Sequence, residues 1–275
     1  NIEIEEKIDK IDEVVVRASR KEEAMNKMAT VSARTLSVEE ASRYAGGGDD
    51  PARLAASFAG VASGLSNNGI VIRGNAPKGL LWRMEDIEID NPNHFANIQA
   101  FGAGGMTALS SHMLANSDFF TGAFPAEYGN ALSGVFDLKM RTGNNEKYEH
   151  AVQIGSIGLD VASEGPIVKG HRASYLFNYR YSTLALIAPI LPPEAGKIGY
   201  QDVSFKINVP TKSIGTFALW GLGSTDNQNK KANTDSSSWV GNTDLLDYST
   251  TAGMGAAGLT HKKVIGRNTN VSTIL

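Results

Sequence analysis

Between Ser174 and Ser182 the chain reads SYLFNYRYS. Tyr175, Phe177, Tyr179 and Tyr181 alternate there with Leu176, Asn178 and Arg180. A period of two is the pattern of a β-strand, whose successive side chains point to opposite faces. One face of this segment is wholly aromatic and the other mostly polar. Val203, Phe205, Ile207 and Val209 alternate as cleanly with Asp202, Ser204, Lys206 and Asn208. Val152 and Ile154 change phase across Gly155 to Ile157, Leu159 and Val161, as a bulge would cause. Phe217 to Leu222 and Tyr248 to Leu259 are further, glycine-rich strand candidates.

The connections alternate in length. Those at 165–170 and 211–215 are short, and those at 186–200 and 226–245 are long. Half-polar strands joined this way, with aromatics on one face, are the signature of a transmembrane β-barrel. A soluble sandwich would alternate too, but four aromatics in succession on one face favour the membrane, because tyrosine suits its interface. The longest apolar run, Leu184 to Leu191, falls far short of the roughly 20 residues a spanning helix needs. That excludes a helical membrane protein and leaves the barrel open. A net charge of −3 gives no electrostatic case for nucleic acid. The absence of cysteine excludes a disulfide framework, thiolate metal sites and a cysteine nucleophile. The acidic start, Asn1 to Glu6, is not a signal peptide, so an exported protein would begin here after processing or later.

Residues 23–145 read as a compact α/β unit. Ser37 with Glu40 forms a capping box and Gly46-Gly47-Gly48 closes that helix. Asp49-Asp50-Pro51 starts a second helix, with an apolar stripe at Leu54, Phe58 and Val61. Two short strands follow, Gly69 to Gly74 and Ile87 to Asp90, joined by a loop with Asn75, Pro77, Lys78 and Gly79. The segment Phe119 to Gly143 begins aromatic, bends through Pro125 and Gly129, and ends at Val135 to Arg141 as a half-buried strand.

Catalytic signatures are missing. Gly102 to Gly105 lacks the Lys-Ser/Thr of a phosphate loop. The five histidines show no metal-ligand spacing, and the Asp226 to Asp235 segment lacks the twelfth-position glutamate of a calcium loop. No nucleophile and base can be paired, so no enzyme, metal or cofactor is expected.

Three stretches in order resemble the plug of a TonB-dependent outer-membrane transporter: Ile70-Val71-Ile72-Arg73-Gly74, Arg83 to Ile89, and Ala126-Glu127-Tyr128-Gly129 through Ser133-Gly134-Val135. The usual Gly-Gly of the last is Ser133-Gly134, and Glu85-Asp86-Ile87 departs from the Asp-Gly common after the first. Ile11-Asp12-Glu13-Val14-Val15-Val16 is similar to the family's energy-coupling box in its Bacteroidetes form. Glu164-Gly165-Pro166-Ile167 resembles the turn after the first barrel strand.

The resemblance implies a mostly β chain, with an α/β plug domain followed by the first antiparallel strands of a transmembrane β-barrel. Residues 1–22 would be a periplasmic segment carrying the box, 23–145 the plug, and 146–275 about six strands of a presumed 22-stranded barrel. Too few residues follow Gly143 to close such a barrel, so the chain is expected to be part of a longer one. Function would be energy-coupled import, in the outer membrane of a Gram-negative bacterium, of a ligand bound outside. Asp12, Glu13, Val14, Val15 and Val16 would add as a strand to a TonB-type periplasmic energy-transducing protein. Arg73, Gly74, Tyr128, Gly129 and Gly134 would be structural or gating positions, with Arg73 partly buried and ion-paired. Asn75, Lys78, Asn93, His94, Phe95 and Phe101 would meet the ligand on outer loops. Other partners would be outer-membrane lipid and a surface lipoprotein. The alternative is a receptor-like component of a secretion or surface-assembly complex, without import.

Overall fold

A computed structural model describes residues 24, 26, 28–29, 32–37, 50–63, 68–96, 105–155, 158–184, 197–239, 242–266 and 269–275. The coupling box, the first expected helix and Phe101 lie outside the described residues.

The N-terminal unit opens with β1 (Ala33–Leu36) and a single-turn helix, α1 (Pro51–Ala55). Asp50 caps α1, its carboxylate accepting from the Ala52 N–H at 2.8 Å, with Pro51 in the first turn. The expected stripe is not all helical: the helix ends at Ala55, and Val61 lies in β2 (Val61–Ala62). A turn through Gly60, at φ +79°, leads into that strand. β2 pairs with β3 (Val71–Ile72). Then come β4 (Leu80–Met84), β5 (Ile87–Ile89), β6 (Asn93–His94), β7 (Met106–Thr107), β8 (Ser117–Phe120) and β9 (Gly134–Leu138).

Five of these strands make one sheet in the order β1-β8-β9-β4-β5, with β9 running parallel to β4 and all other pairs antiparallel. All five residues of β9 are buried, not the half expected. Both faces of the sheet are covered. Phe136 stacks on Trp82 at 4.1 Å and meets Phe119 at 4.5 Å on one face. Val135 packs with Leu81, Phe120 and Tyr128 on the other. An Asp at 137 among these residues makes β9 look half-polar in sequence, but Tyr128 Oη donates to its carboxylate at 2.8 Å.

The remaining residues form one seven-stranded antiparallel meander, the wall: β10 (Glu149–Ile154), β11 (Gly158–Pro166), β12 (Ser174–Ser182), β13 (Lys197–Pro210), β14 (Thr216–Lys230), β15 (Tyr248–Ile265) and β16 (Thr269–Ile274). It holds one strand more than about six because the phase change at Gly155 is no bulge. Ile154 pairs with Leu159, so the chain reverses there, with the Gly155 N–H bonded to the Gly158 carbonyl at 2.9 Å. The turn at Glu164 to Ile167 accordingly follows the second strand of the wall.

The polarity of the wall is inverted. Ser174, Leu176, Asn178 and Ser182 of β12 and Asp202, Ser204 and Lys206 of β13 are buried against the N-terminal unit. Phe177, Tyr181, Val203, Val209, Leu219 and Leu259 are exposed on the other face. A soluble sheet keeps its apolar face inside, whereas a barrel wall turns it outward to lipid.

Candidate functional site

The seam between the N-terminal unit and the wall is closed by ions at three points. Toward the end carrying the long connections, His94 is wholly buried, and its Nε2 lies 2.9 Å from Asp202 of β13. The next backbone N–H, that of Phe95, donates to Asp226 of β14 at 3.1 Å. His94 Nδ1 stands 3.7 Å from the same Asp226, an electrostatic contact longer than a hydrogen bond. Arg180 of β12 makes a two-pronged pair with Asp202, both bonds 2.9 Å, and donates to the Thr107 carbonyl at 2.6 Å. Burial alone would lower the His94 pKa, but Asp202 and then Asp226 outweigh it and hold the imidazole above its ordinary value.

Nearer the short turns, Lys206 of β13 donates to Glu85 at 2.8 Å and to the Met140 carbonyl at 2.7 Å. Glu85 also accepts from the Met140 N–H at 2.7 Å. The Glu85-Asp86 turn has left-handed backbone, φ +51° and +72°, which aims the carboxylate into the wall. At the short-turn end, Arg141 grips Glu164 of β11 with two bonds of 2.9 and 2.7 Å. Between these ties lies apolar packing. Trp220, Leu222 and Leu176 of the wall join the core of Trp82, Met84 and Phe136. Ile87 meets the wall where Gly258 lacks a side chain: a Cβ there would come within 2.6 Å of Ile87 Cδ1.

A second network braces the inner side of the seam. Asp50 accepts from Asn68 Nδ2 at 2.6 Å and from the Thr107 N–H at 3.1 Å, and Asn68 also donates to Asn93 at 2.9 Å. Burial raises the Asp50 pKa against these donors. Beside it, a polar cavity of about 130 Å³ opens between Thr107, Ser110 and His112 on one side and Asp160, Arg180 and Tyr200 of the wall on the other. Among the described residues no cluster of His, Cys, Asp or Glu is placed to hold a metal.

The expected site residues separate in space. Asn93, His94 and Phe95 are buried in the seam and line no outer surface. They read as loop residues in sequence because the two-residue β6 carries no period. Asn75 and Lys78 are exposed on a loop. Arg73 is exposed rather than partly buried. It takes the first left-handed position of a tight turn, φ +50°, before Gly74 at φ +85°. The Asn75 N–H closes that turn onto the Ile72 carbonyl at 2.9 Å. Tyr128 is buried, with Asn26 Nδ2 donating to its hydroxyl at 3.1 Å and the Arg83 guanidinium 4.9 Å above its ring. Gly134 has no room for a side chain: a Cβ would lie 2.2 Å from Ile72 Cδ1 and 2.8 Å from the Phe120 carbonyl oxygen. Gly129 is free of that constraint, since a Cβ there meets nothing within 4 Å. The wall partners of the seam, Asp202, Lys206 and Asp226, stand as lone charges in amphipathic strands. Their sequence signal is the polar phase of those strands.

The siderophore receptor PirA from Acinetobacter baumannii is similar with a TM-score of 0.57 at 17% identity, the match covering 84% of this chain and 37% of that one. This chain has the fold of the TonB-dependent outer-membrane receptors. The outer membrane transporter YddB from Escherichia coli gives 0.55 at 14% identity, over 84% of this chain and 36% of that one. A mutant of the ferric enterobactin receptor PfeA from Pseudomonas aeruginosa, in complex with enterobactin, gives 0.51 at 16%, over 84% and 38%. No family model and no curated protein matches the sequence. The chain thus spans little more than a third of the length of these receptors, with the meander as an incomplete barrel wall. These neighbours are receptors and transporters rather than enzymes.

Proposed function

We propose that this chain is the plug and first wall strands of an energy-coupled receptor in the outer membrane of a Gram-negative bacterium. The receptor binds a ligand outside and imports it through a plugged barrel. The observation that carries this reading is the inverted wall: charged and amide groups face the plug, aromatic and aliphatic groups face outward. Among the described residues, the edge strands of the meander, β10 and β16, each pair on one side only. Bare edges are not tolerated in hydrocarbon, so further strands must complete the ring.

The mechanism follows from the seam. The polar ties that flank the apolar patch around Trp220 and Leu222 can be exchanged for water one at a time, which confines the apolar area that opening must expose to that patch. A pull on the segment that precedes the plug would therefore open a wetted path along the wall. Asp12 to Val16 would take that pull by pairing as an added strand with a TonB-type periplasmic protein. Arg73, Gly74, Tyr128 and Gly134 shape the plug, and the exposed Asn75 and Lys78 are its ligand-facing candidates.

The solved neighbours include receptors named for siderophores and ferric enterobactin, so ferric siderophores are the first probes. The test is radioiron uptake from a panel of them by cells carrying the complete receptor, with and without Val15→Pro. Proline removes the donor and breaks extended pairing. Uptake that vanishes while surface binding persists supports import. Binding and function unchanged by the substitution would refute it.

A further inference from the structure

Several exposed cations of the wall gather at one rim, while Lys197 and Lys231 lie at the other. The β10–β11 turn at Gly155 also lies on that other rim, while three of the wall's short turns lie on the first: 167–173 between β11 and β12, 211–215 between β13 and β14, and the reversal after Ile265. Lys169, His171, Arg172, Lys212 and Lys262 are exposed there, and Lys263 is half-exposed. The segments 167–173, 211–215 and 261–266 contain no Asp or Glu. Of the acidic groups near this rim, Glu164 pairs with Arg141, Glu149 with Lys147, and Asp86 with Lys139 and, at 3.9 Å, Lys262, while Glu146 is exposed and outnumbered by the cations. Lys169, Arg172, Lys212 and Lys263 have no carboxylate partner among the described residues. Lys169 instead sits 5.9 Å from the Tyr148 ring centroid.

The same rim exposes large apolar side chains. Ile167, Val168, Ile214 and Ile265 are each about half exposed, directly beside these cations in sequence. Outward-facing Phe217 and His261 stack at 4.5 Å just above the second turn. On a water-facing turn such residues are a liability. At a membrane boundary they are an anchor, since the aliphatic tip enters the acyl layer and the long cation reaches back to the headgroups. The turns recur every second strand, about 10 Å apart, so the cations form a collar rather than a single pocket.

We propose that this rim binds the headgroups of anionic phospholipids in the leaflet at the short-turn end, holding the wall at a fixed depth. The inference rests on the membrane-wall reading above and adds a lipid class to it. Charge complementarity selects the headgroup, and the adjoining aliphatic side chains select a lipid over a soluble anion.

The test is native mass spectrometry of the complete receptor in detergent, given phosphatidylglycerol and phosphatidylethanolamine at equal mole ratio. The expected result is preferential retention of phosphatidylglycerol, about fivefold at most for each cation engaged. The preference should fall with salt and be lost in Lys169→Gln/Arg172→Gln/Lys212→Gln/Lys263→Gln. Should that variant fail to fold, the two double variants Lys169→Gln/Arg172→Gln and Lys212→Gln/Lys263→Gln should each lower the preference. Equal retention of both lipids by the unaltered receptor overturns the inference, as does a preference the variants keep. In either case a receptor that still needs detergent and shows heat-dependent gel mobility leaves the wall reading standing. A receptor soluble without detergent would overturn that reading as well.

Discussion

Replacing Lys206 by methionine tests whether the seam is held by its ions. The substitution conserves most of the volume and removes two hydrogen bonds, those to Glu85 and to the Met140 carbonyl. Glu85 is then buried with a single remaining donor, the Met140 N–H. Hydrogen bonds involving a charged group are each worth about 1.5–3 kcal/mol, and breaking a buried pair from one side costs about 3–5 kcal/mol. The two routes agree on roughly 3–5 kcal/mol of plug–wall docking energy. That corresponds to roughly 150- to 5,000-fold faster amide exchange in the elements that must open to expose the pair. The assay is hydrogen exchange on the complete receptor in detergent, read at β5, β9 and the Met140 amide. Adding Glu85→Gln to Lys206→Met removes the stranded charge and should recover more than half of the lost protection. A change below about 1 kcal/mol for the single variant would refute the argument. So would a double variant worse than the single, since Glu85 would then not be stranded.

Three other outcomes follow from the same geometry. Gly134→Ala should destabilise the plug by about 1–3 kcal/mol through overpacking and lower its urea midpoint, whereas Gly129→Ala should leave the midpoint unchanged, because its Cβ enters open space. His94 has a raised folded-state pKa, so its contribution is fully present below the unfolded value of about 6.5 and is lost as pH rises through the folded value. The plug's urea midpoint should therefore fall across that alkaline window, and His94→Gln should flatten the dependence. Asp86, whose pKa burial pushes up but Lys139 pulls down further, acts oppositely: its contribution is present above the ordinary carboxylate value and is lost as pH falls through the lowered one, so Asp86→Asn should remove an acid-side loss of stability.

The wall was legible because a barrel writes its environment into every second residue. β12 and β13 show both phases, and their aromatic and aliphatic phase is the outward face. The plug was read less well, for physical reasons. β4 and β8 are buried on both faces, so LLWRM and SDFF carry no alternation and look like nothing in particular. β9 was seen as a strand but placed half in water, because Asp137 is polar while its partners, Tyr128 and Lys139, are brought up from a bend and from beyond the strand end. The seam itself was invisible. His94 and Asp202 are far apart in sequence, and only the folded chain sets them 2.9 Å apart. A histidine in a nondescript loop suggests a ligand contact sooner than a tie between domains.

Wall side chains that enter the plug's core bear on the order in which the molecule is made. Trp220 is completely buried, and the residues around it include Trp82 and Met84 of the plug. It is supplied by β14, long after the last plug strand has left the ribosome. A plug folding on its own residues would carry an open, indole-sized hollow facing water until β12 and β14 arrive. Emptying such a site in a finished core costs about 3–5 kcal/mol. The plug's core is therefore complete only when β12 and β14 are in place against it.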